Sequence, residues 1–139
     1  MNKKYYLDTG IWLDFFENRN EPNFPKGKFA KHLFEKIINE NDKIIYSDLI
    51  LIELNNAGYS NYELEEMFLE FRENIIFIEI NKEQIGKGKD LALKRNIPKG
   101  DAIHAVFARD NNLILVTFDR HFDQLTDITN YSKPSDLIN

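Results

Sequence analysis

The chain has 139 residues, a net charge of −5 and no cysteine. That length suits one domain, residues 1–139, able to bury roughly two thirds of the surface its unfolded chain exposes. The missing thiol excludes disulfides, thiolate metal sites and a cysteine nucleophile, and the negative balance argues against a general nucleic-acid binder.

No segment approaches the ~18 apolar residues of a membrane span, and the first residues lack the apolar stretch of a signal peptide, so a cytoplasmic protein is expected. Tyr5 to Leu7 reads as a short strand ending in Asp8-Thr9-Gly10, after which Ile11, Trp12, Phe15 and Phe16 recur at helical spacing. Pro22, Pro25 and Gly27 make a loop of Glu21 to Lys28. A helix follows from about Lys28 to Asn39, then a strand from Lys43 to Tyr46. Ser47 suits the N-cap of a helix carrying Ile50, Leu51, Leu54 and Ala57, because its hydroxyl can accept from a free amide. Leu64, Met67, Phe68 and Phe71 mark another helix, and Ile75 to Ile80 a further strand. Residues 81 to 95 read as helix despite Gly86 and Gly88, each of which costs about 1 kcal/mol relative to alanine. Asp101 opens a helix that is apolar nearly all round, Asn111-Asn112 turns the chain, and Leu113 to Val116 is a strand covered on both faces. After Asp123 come a helical turn and an edge strand near Ile128 to Tyr131. Strands alternating with helices predict an α/β protein whose mainly parallel sheet is covered on both sides.

In such a sheet Asp8, Glu53, Asp101 and Asp119 can all reach one edge, where open α/β sheets place ligands. Glu53 lies about 40° from Ala57 on the helical wheel and faces partly inward. Singly, each acid is a cap, a turn residue or a solvated helix acid. Together they repel unless protonated or neutralised by a cation. Mg²⁺ or Mn²⁺ answers that need with hard oxygen ligands, and such a site suits phosphodiester hydrolysis. Thr9 and Thr117 are placed to support the ligands. His104, on so apolar a helix, reads as a packed core histidine, while His32 and His121 have no partner pattern. Asp14, Asp48, Asp110 and Asp123 read as surface or turn residues, Asp123 nearest the site. Between Lys82 and Lys99 six bases stand against two acids. That window is either a solvated helix face or a patch that steers a phosphate backbone.

Tyr-Leu-Asp-Thr-Gly-Ile-Trp-Leu, Ser-Asp-Leu-Ile-Leu-Ile-Glu-Leu, Gly-Asp-Ala-Ile-His-Ala-Val-Phe-Ala and Leu-Val-Thr-Phe-Asp-Arg-His-Phe, spread over residues 5 to 123, resemble the PIN domains, which include VapC-type ribonuclease toxins. The resemblance implies a three-layer α/β/α sandwich, Rossmann-related, with Mg²⁺- or Mn²⁺-dependent endoribonuclease activity. It matches Asp8, Glu53, Asp101 and Asp119 to an acidic quartet and Thr9 and Thr117 to polar positions beside it. It also implies an RNA substrate, a homodimer and a small antitoxin protein as partner. Trp12, Phe15 and Phe16, taken as exposed, are candidates for the dimer interface. Rival readings are a catalytically silent PIN-like RNA-binding or assembly module, or another Rossmann-like phosphoesterase. A haloacid-dehalogenase-type enzyme wants a second aspartate where Gly10 stands, and the acid order of a response-regulator receiver is not seen.

Overall fold

The structure is a computed structural model that describes residues 2–138. In chain order it comprises β1 (Lys4–Leu7), α1 (Thr9–Glu17), α2 (Lys26–Asn39), β2 (Lys43–Tyr46), α3 (Asp48–Asn56), α4 (Asn61–Leu69), β3 (Ile75–Phe77), α5 (Lys82–Arg95), α6 (Lys99–Asp110) and β4 (Ile114–Val116). A 3₁₀ turn (Arg120–Leu125), β5 (Tyr131–Ser132) and α7 (Pro134–Leu137) complete it. The five strands run parallel in the order β3-β2-β1-β4-β5. From β1 the chain winds outward to β3, then returns past β1 to β4. With right-handed crossovers this puts α1 to α4 on one face and α5 and α6 on the other. Accordingly α1 packs on α2 and α3, and α5 packs on α6. This is the expected three-layer α/β/α sandwich.

The return makes β1 and β4 neighbours at the switch point, with Leu7 paired to Val116. The Asp8 amide continues the ladder by donating to the Val116 carbonyl at 3.0 Å. Asp8 and Thr117 therefore emerge side by side at the carboxyl edge, where α/β sheets bind ligands.

Helix α6 is buried from Ala102 to Ala108 because sheet and α5 cover it from both sides. Gly88 permits that packing, since a Cβ there would come 2.7 Å from Ile103 Cα. The weak helix former within α5 is thus explained by close approach. Ser47 caps α3 as expected, its hydroxyl accepting from the Ile50 amide at 3.3 Å. Asn112 turns the chain after α6 at φ 53°, and Asn18 and Asn96 end α1 and α5 at φ 49° and 53°. Asparagine tolerates this left-handed conformation better than other residues with a Cβ.

Some expectations change. β3 stops at Phe77 rather than Ile80, because its only neighbour, β2, ends at Tyr46 and turns into α3. The Ile80 amide bonds instead to the Asp48 carboxylate at 3.0 Å, so Asp48 holds a loop. The last strand begins at Tyr131, Ile128 being spent on a turn to Leu125. Trp12 is fully buried, not exposed, with Phe68 at 5.0 Å and Phe34 at 5.2 Å between ring centroids. Asp14 is likewise buried and accepts from Arg19 Nε at 2.9 Å. Phe15 and Phe16 are partly buried against the core.

Candidate metal centre

Each acid of the quartet is delivered by an element boundary or a half-buried helix face. Asp8 precedes α1, Asp101 lies in the first turn of α6, Asp119 caps the 3₁₀ turn, and Glu53 sits on α3. They are divided between two adjoining triads. One combines Asp8, Glu53 and His104, the other Asp101, Asp119 and His121, and within each the ligand atoms lie within 4.8 Å of one another. Thr117 bridges the triads: its hydroxyl donates to Asp8 Oδ2 at 2.6 Å and accepts from the Asp119 amide at 2.9 Å. Asp119 in turn accepts from the His121 amide at 2.9 Å. Thr9 Oγ1 donates to Glu53 Oε1 at 2.5 Å.

His104, read as a packed core residue, and His121, which had no partner pattern in the sequence, both meet the acids. His104 is 1% exposed, as a core residue would be. Both of its nitrogens are nevertheless engaged, Nε2 at 2.7 Å from Glu53 Oε1 and Nδ1 at 2.6 Å from the Tyr6 hydroxyl. Tyr6 continues to Ser47 Oγ at 2.8 Å. His121 Nδ1 lies 2.9 Å from Asp119 Oδ1 and 3.3 Å from Asp101 Oδ2. The i, i+2 spacing of Asp119 and His121 was the available signal for the second triad; the i, i+3 spacing of Asp101 and His104 was not one, since those two residues fall in different triads. Asp123 accepts from the Tyr131 hydroxyl at 2.5 Å and belongs to neither triad. His32 lies elsewhere, in a surface hollow with Glu35, Lys36 and Glu40.

The electrostatics separate the acids. Burial, then the charges of Asp119 and Asp8, push Asp101 up to about 7. Burial also raises Asp8, against the pull of His104 and Thr117. For Glu53 burial is outweighed by the hydrogen bonds from His104 and Thr9, and the carboxyl is held below its ordinary value. His104 is the reciprocal case: burial pulls it down, but Glu53 and the other acids raise it. Asp101 Oδ2 is buried and makes no well-formed hydrogen bond, its polar neighbour being His121 Nδ1 at 3.3 Å.

These features fit a hard divalent cation. The donors are mainly carboxylate oxygens, and a buried oxygen without a well-formed hydrogen bond and a repelling acid pair are what a cation relieves. Asp8 and Asp119 open onto a cleft of about 320 Å³ also lined by Gly10, Ile11, Asp14, Arg19, Lys26, Thr117 and Phe118. The bases from Lys82 to Lys99 are not among its lining residues; Arg19 and Lys26 are the cations there.

The fold and site define an α/β/α protein with carboxylates gathered at the switch point of a parallel sheet. The chain belongs to the PIN domain family, whose model matches residues 5–128. Members are generally nucleases that use divalent metal ions. No curated protein sequence matches significantly. Among solved structures, the chain is similar to VapBC-1 from nontypeable Haemophilus influenzae, with 24% identity, a TM-score of 0.65 and coverage of 95% of this chain and 98% of that one. It is also similar to VapBC2 from Rickettsia felis bound to a DNA fragment from their promoter, with 20% identity, a TM-score of 0.61 and coverage of 94% and 96%. A toxin-antitoxin complex from Klebsiella pneumoniae gives 17% identity, a TM-score of 0.62 and coverage of 94% and 97%. These likenesses concern the fold.

Proposed function

We propose that this chain is a single-domain, cytoplasmic, Mg²⁺- or Mn²⁺-dependent endoribonuclease of the VapC type. The observation that carries the proposal is the buried Oδ2 of Asp101, which makes no well-formed hydrogen bond and has His121 Nδ1 3.3 Å away, on a carboxyl that burial and the charges of Asp119 and Asp8 push up to about 7. A cation restores its charge and its contacts together.

Asp8, Asp101 and Asp119 would hold the ion, and Glu53 would complete the shell or position the water. A bound divalent ion supplies Lewis acidity and offsets charge developing on the phosphoryl oxygens. The remaining work falls to the chain's own groups. Thr117 fixes the rotamer of Asp8 and leaves Oδ1 free. Thr9 and His104 bind Glu53 Oε1, keep the carboxylate ionised, and leave Oε2 to accept a hydrogen bond from the attacking water. The cleft would orient a phosphodiester between Asp8 and Asp119 on one side and the cations Arg19 and Lys26 on the other.

A homodimer and a small antitoxin partner belong to the same proposal. Exposed Ile52 on α3 and Tyr62 and Leu69 on α4 supply apolar surface for such contacts. The test is cleavage of a mixed RNA panel by wild type and a folded Asp101→Asn variant in EDTA, Mg²⁺ and Mn²⁺. Wild type should cut only with metal and the variant should not cut. Equal metal-dependent cutting by both overturns the site. Cutting by neither moves the protein toward RNA binding or assembly without catalysis.

A further inference from the structure

We propose that the segment from Asn18 to Lys28, with Phe118, forms a preformed shelf that binds single-stranded RNA beside the scissile phosphate. This deepens the nuclease proposal and rests on it for the nature of the substrate. The sequence gives this stretch as a proline-rich loop, yet in the fold it is tightly tied. The Glu21 and Phe24 amides and carbonyls bond reciprocally at 3.0 Å, the Gly27 amide donates to the Arg19 carbonyl at 2.8 Å, and the Lys28 amide reaches Asn20 Oδ1 at 3.3 Å. Asn18 and Asn23 take left-handed conformations at φ 49° and 68°. Gly27 presses on Asn18, where a Cβ would come 2.6 Å from the Asn18 carbonyl carbon.

This rigid segment brings together three groups that recognise a nucleic-acid strand. Arg19 is anchored through Nε and Nη2 to Asp14 and Gly10, which leaves Nη1 without a partner among the described residues. Lys26, the first residue of α2, pairs with the exposed Glu21 at 3.3 Å and holds its ammonium over the Phe24 ring, 5.6 Å from the centroid. Phe24 and Phe118 meet edge to face with centroids 5.0 Å apart, both partly exposed, and Phe118 directly precedes Asp119. Arg19 and Lys26 line the cleft of the acids and also an adjoining hollow of about 420 Å³ with Asn20 and Glu21. The cleft and the hollow share Asp14, Arg19 and Lys26, and Phe118 lines the cleft beside Asp119. Cations spaced along a groove with an aromatic platform fit a strand whose phosphates pair and whose base stacks. A duplex keeps its bases stacked inside, out of reach of an aromatic platform.

The experiment follows binding of a short fluorescein-labelled single-stranded RNA to folded Asp101→Asn protein in Mg²⁺, by anisotropy over a range of salt. Lys26→Gln in that background should weaken binding about three- to tenfold and lower the salt slope by about 0.7, one phosphate contact. Phe118→Leu should weaken binding about fivefold without changing the slope. Lys87→Gln on α5, outside the cleft, should do neither, and the matching duplex should not respond to Lys26→Gln. Unchanged affinity and slope in Lys26→Gln, or an equal loss in Lys87→Gln, overturns the shelf. The cleavage panel fails separately. If wild type cuts RNA while Lys26→Gln binds normally, the shelf falls and the nuclease stands; if Lys26-dependent binding occurs without cutting, the shelf stands and the nuclease falls.

Discussion

His104 Nε2 lies 2.7 Å from Glu53 Oε1, inside a line of buried groups that runs from Ser47 through Tyr6 to the edge of the acidic cluster. An ionised Glu53 only accepts, so Nε2 carries the proton whichever state Nδ1 adopts. The imidazole thereby fixes the carboxylate's direction, as carboxylate–histidine pairs do around metals. Tyr6 orients the imidazole in turn. Tyr6→Phe should leave the fold intact and cost about 1–3 kcal/mol, because His104 Nδ1 loses its partner in the interior and Ser47 Oγ keeps only the Ile50 amide. Urea unfolding at neutral pH checks this.

The same pair has a defined pH dependence. His104 is raised above its ordinary 6.5 in the folded state, so its contribution is complete below that value and is lost as pH rises through the folded pKa. Glu53 is lowered below 4.5, so its contribution is complete above 4.5 and is lost as pH falls through the folded pKa. The stability gap between wild type and His104→Gln should therefore be widest between 4.5 and 6.5 and narrow on both sides. Thermal midpoints of the metal-free proteins from pH 3 to 9 measure it.

Asp101 behaves in the opposite sense to Glu53. Its folded pKa is raised from 3.8 to about 7, so the folded state holds the extra proton and stability falls as pH rises across that interval. Metal-free wild type should lose stability relative to Asp101→Asn from pH 4 to 7. Saturating Mg²⁺ or Mn²⁺ should abolish the loss, since the ion takes the proton's place.

Gly100→Ala separates metal binding from folding. A Cβ at this position would stand 2.8 Å from Glu53 Oε2 and displace that carboxylate. Alanine is otherwise preferred over glycine in a helix by about 1 kcal/mol. The variant should unfold no more easily than wild type yet bind Mn²⁺ about tenfold more weakly. Paired denaturation and calorimetric titration would show whether the two effects part.

The layers and the parallel sheet were largely legible, because β1, β2 and β4 centre on apolar runs and α6 is apolar nearly all round, whereas the order of the strands was not. Strand ends were not: β3 and β5 are edge elements whose lengths depend on neighbours, and only Asp48 and Leu125 reveal where the chain leaves the ladder. All four acids of the quartet stand at the one sheet edge, but the sequence could not divide them between two triads. His104 shows why. Apolar neighbours correctly indicate a buried ring, while its partners, Tyr6 and Glu53, come from elements 98 and 51 residues away. The exposure of Trp12 was misread for a related reason. The face of α1 that carries it is covered by Phe34 and Phe68, from helices distant in sequence.

The central claim is that these acids form a cation site, and the most direct measurement is calorimetric titration of Mn²⁺ into metal-free wild type and Asp101→Asn near pH 7. Wild type should bind at the cluster and release protons in amounts that shrink as pH rises above 7, while the variant should bind at least tenfold more weakly with less proton release. Equal affinity and equal proton release in the two proteins would contradict it.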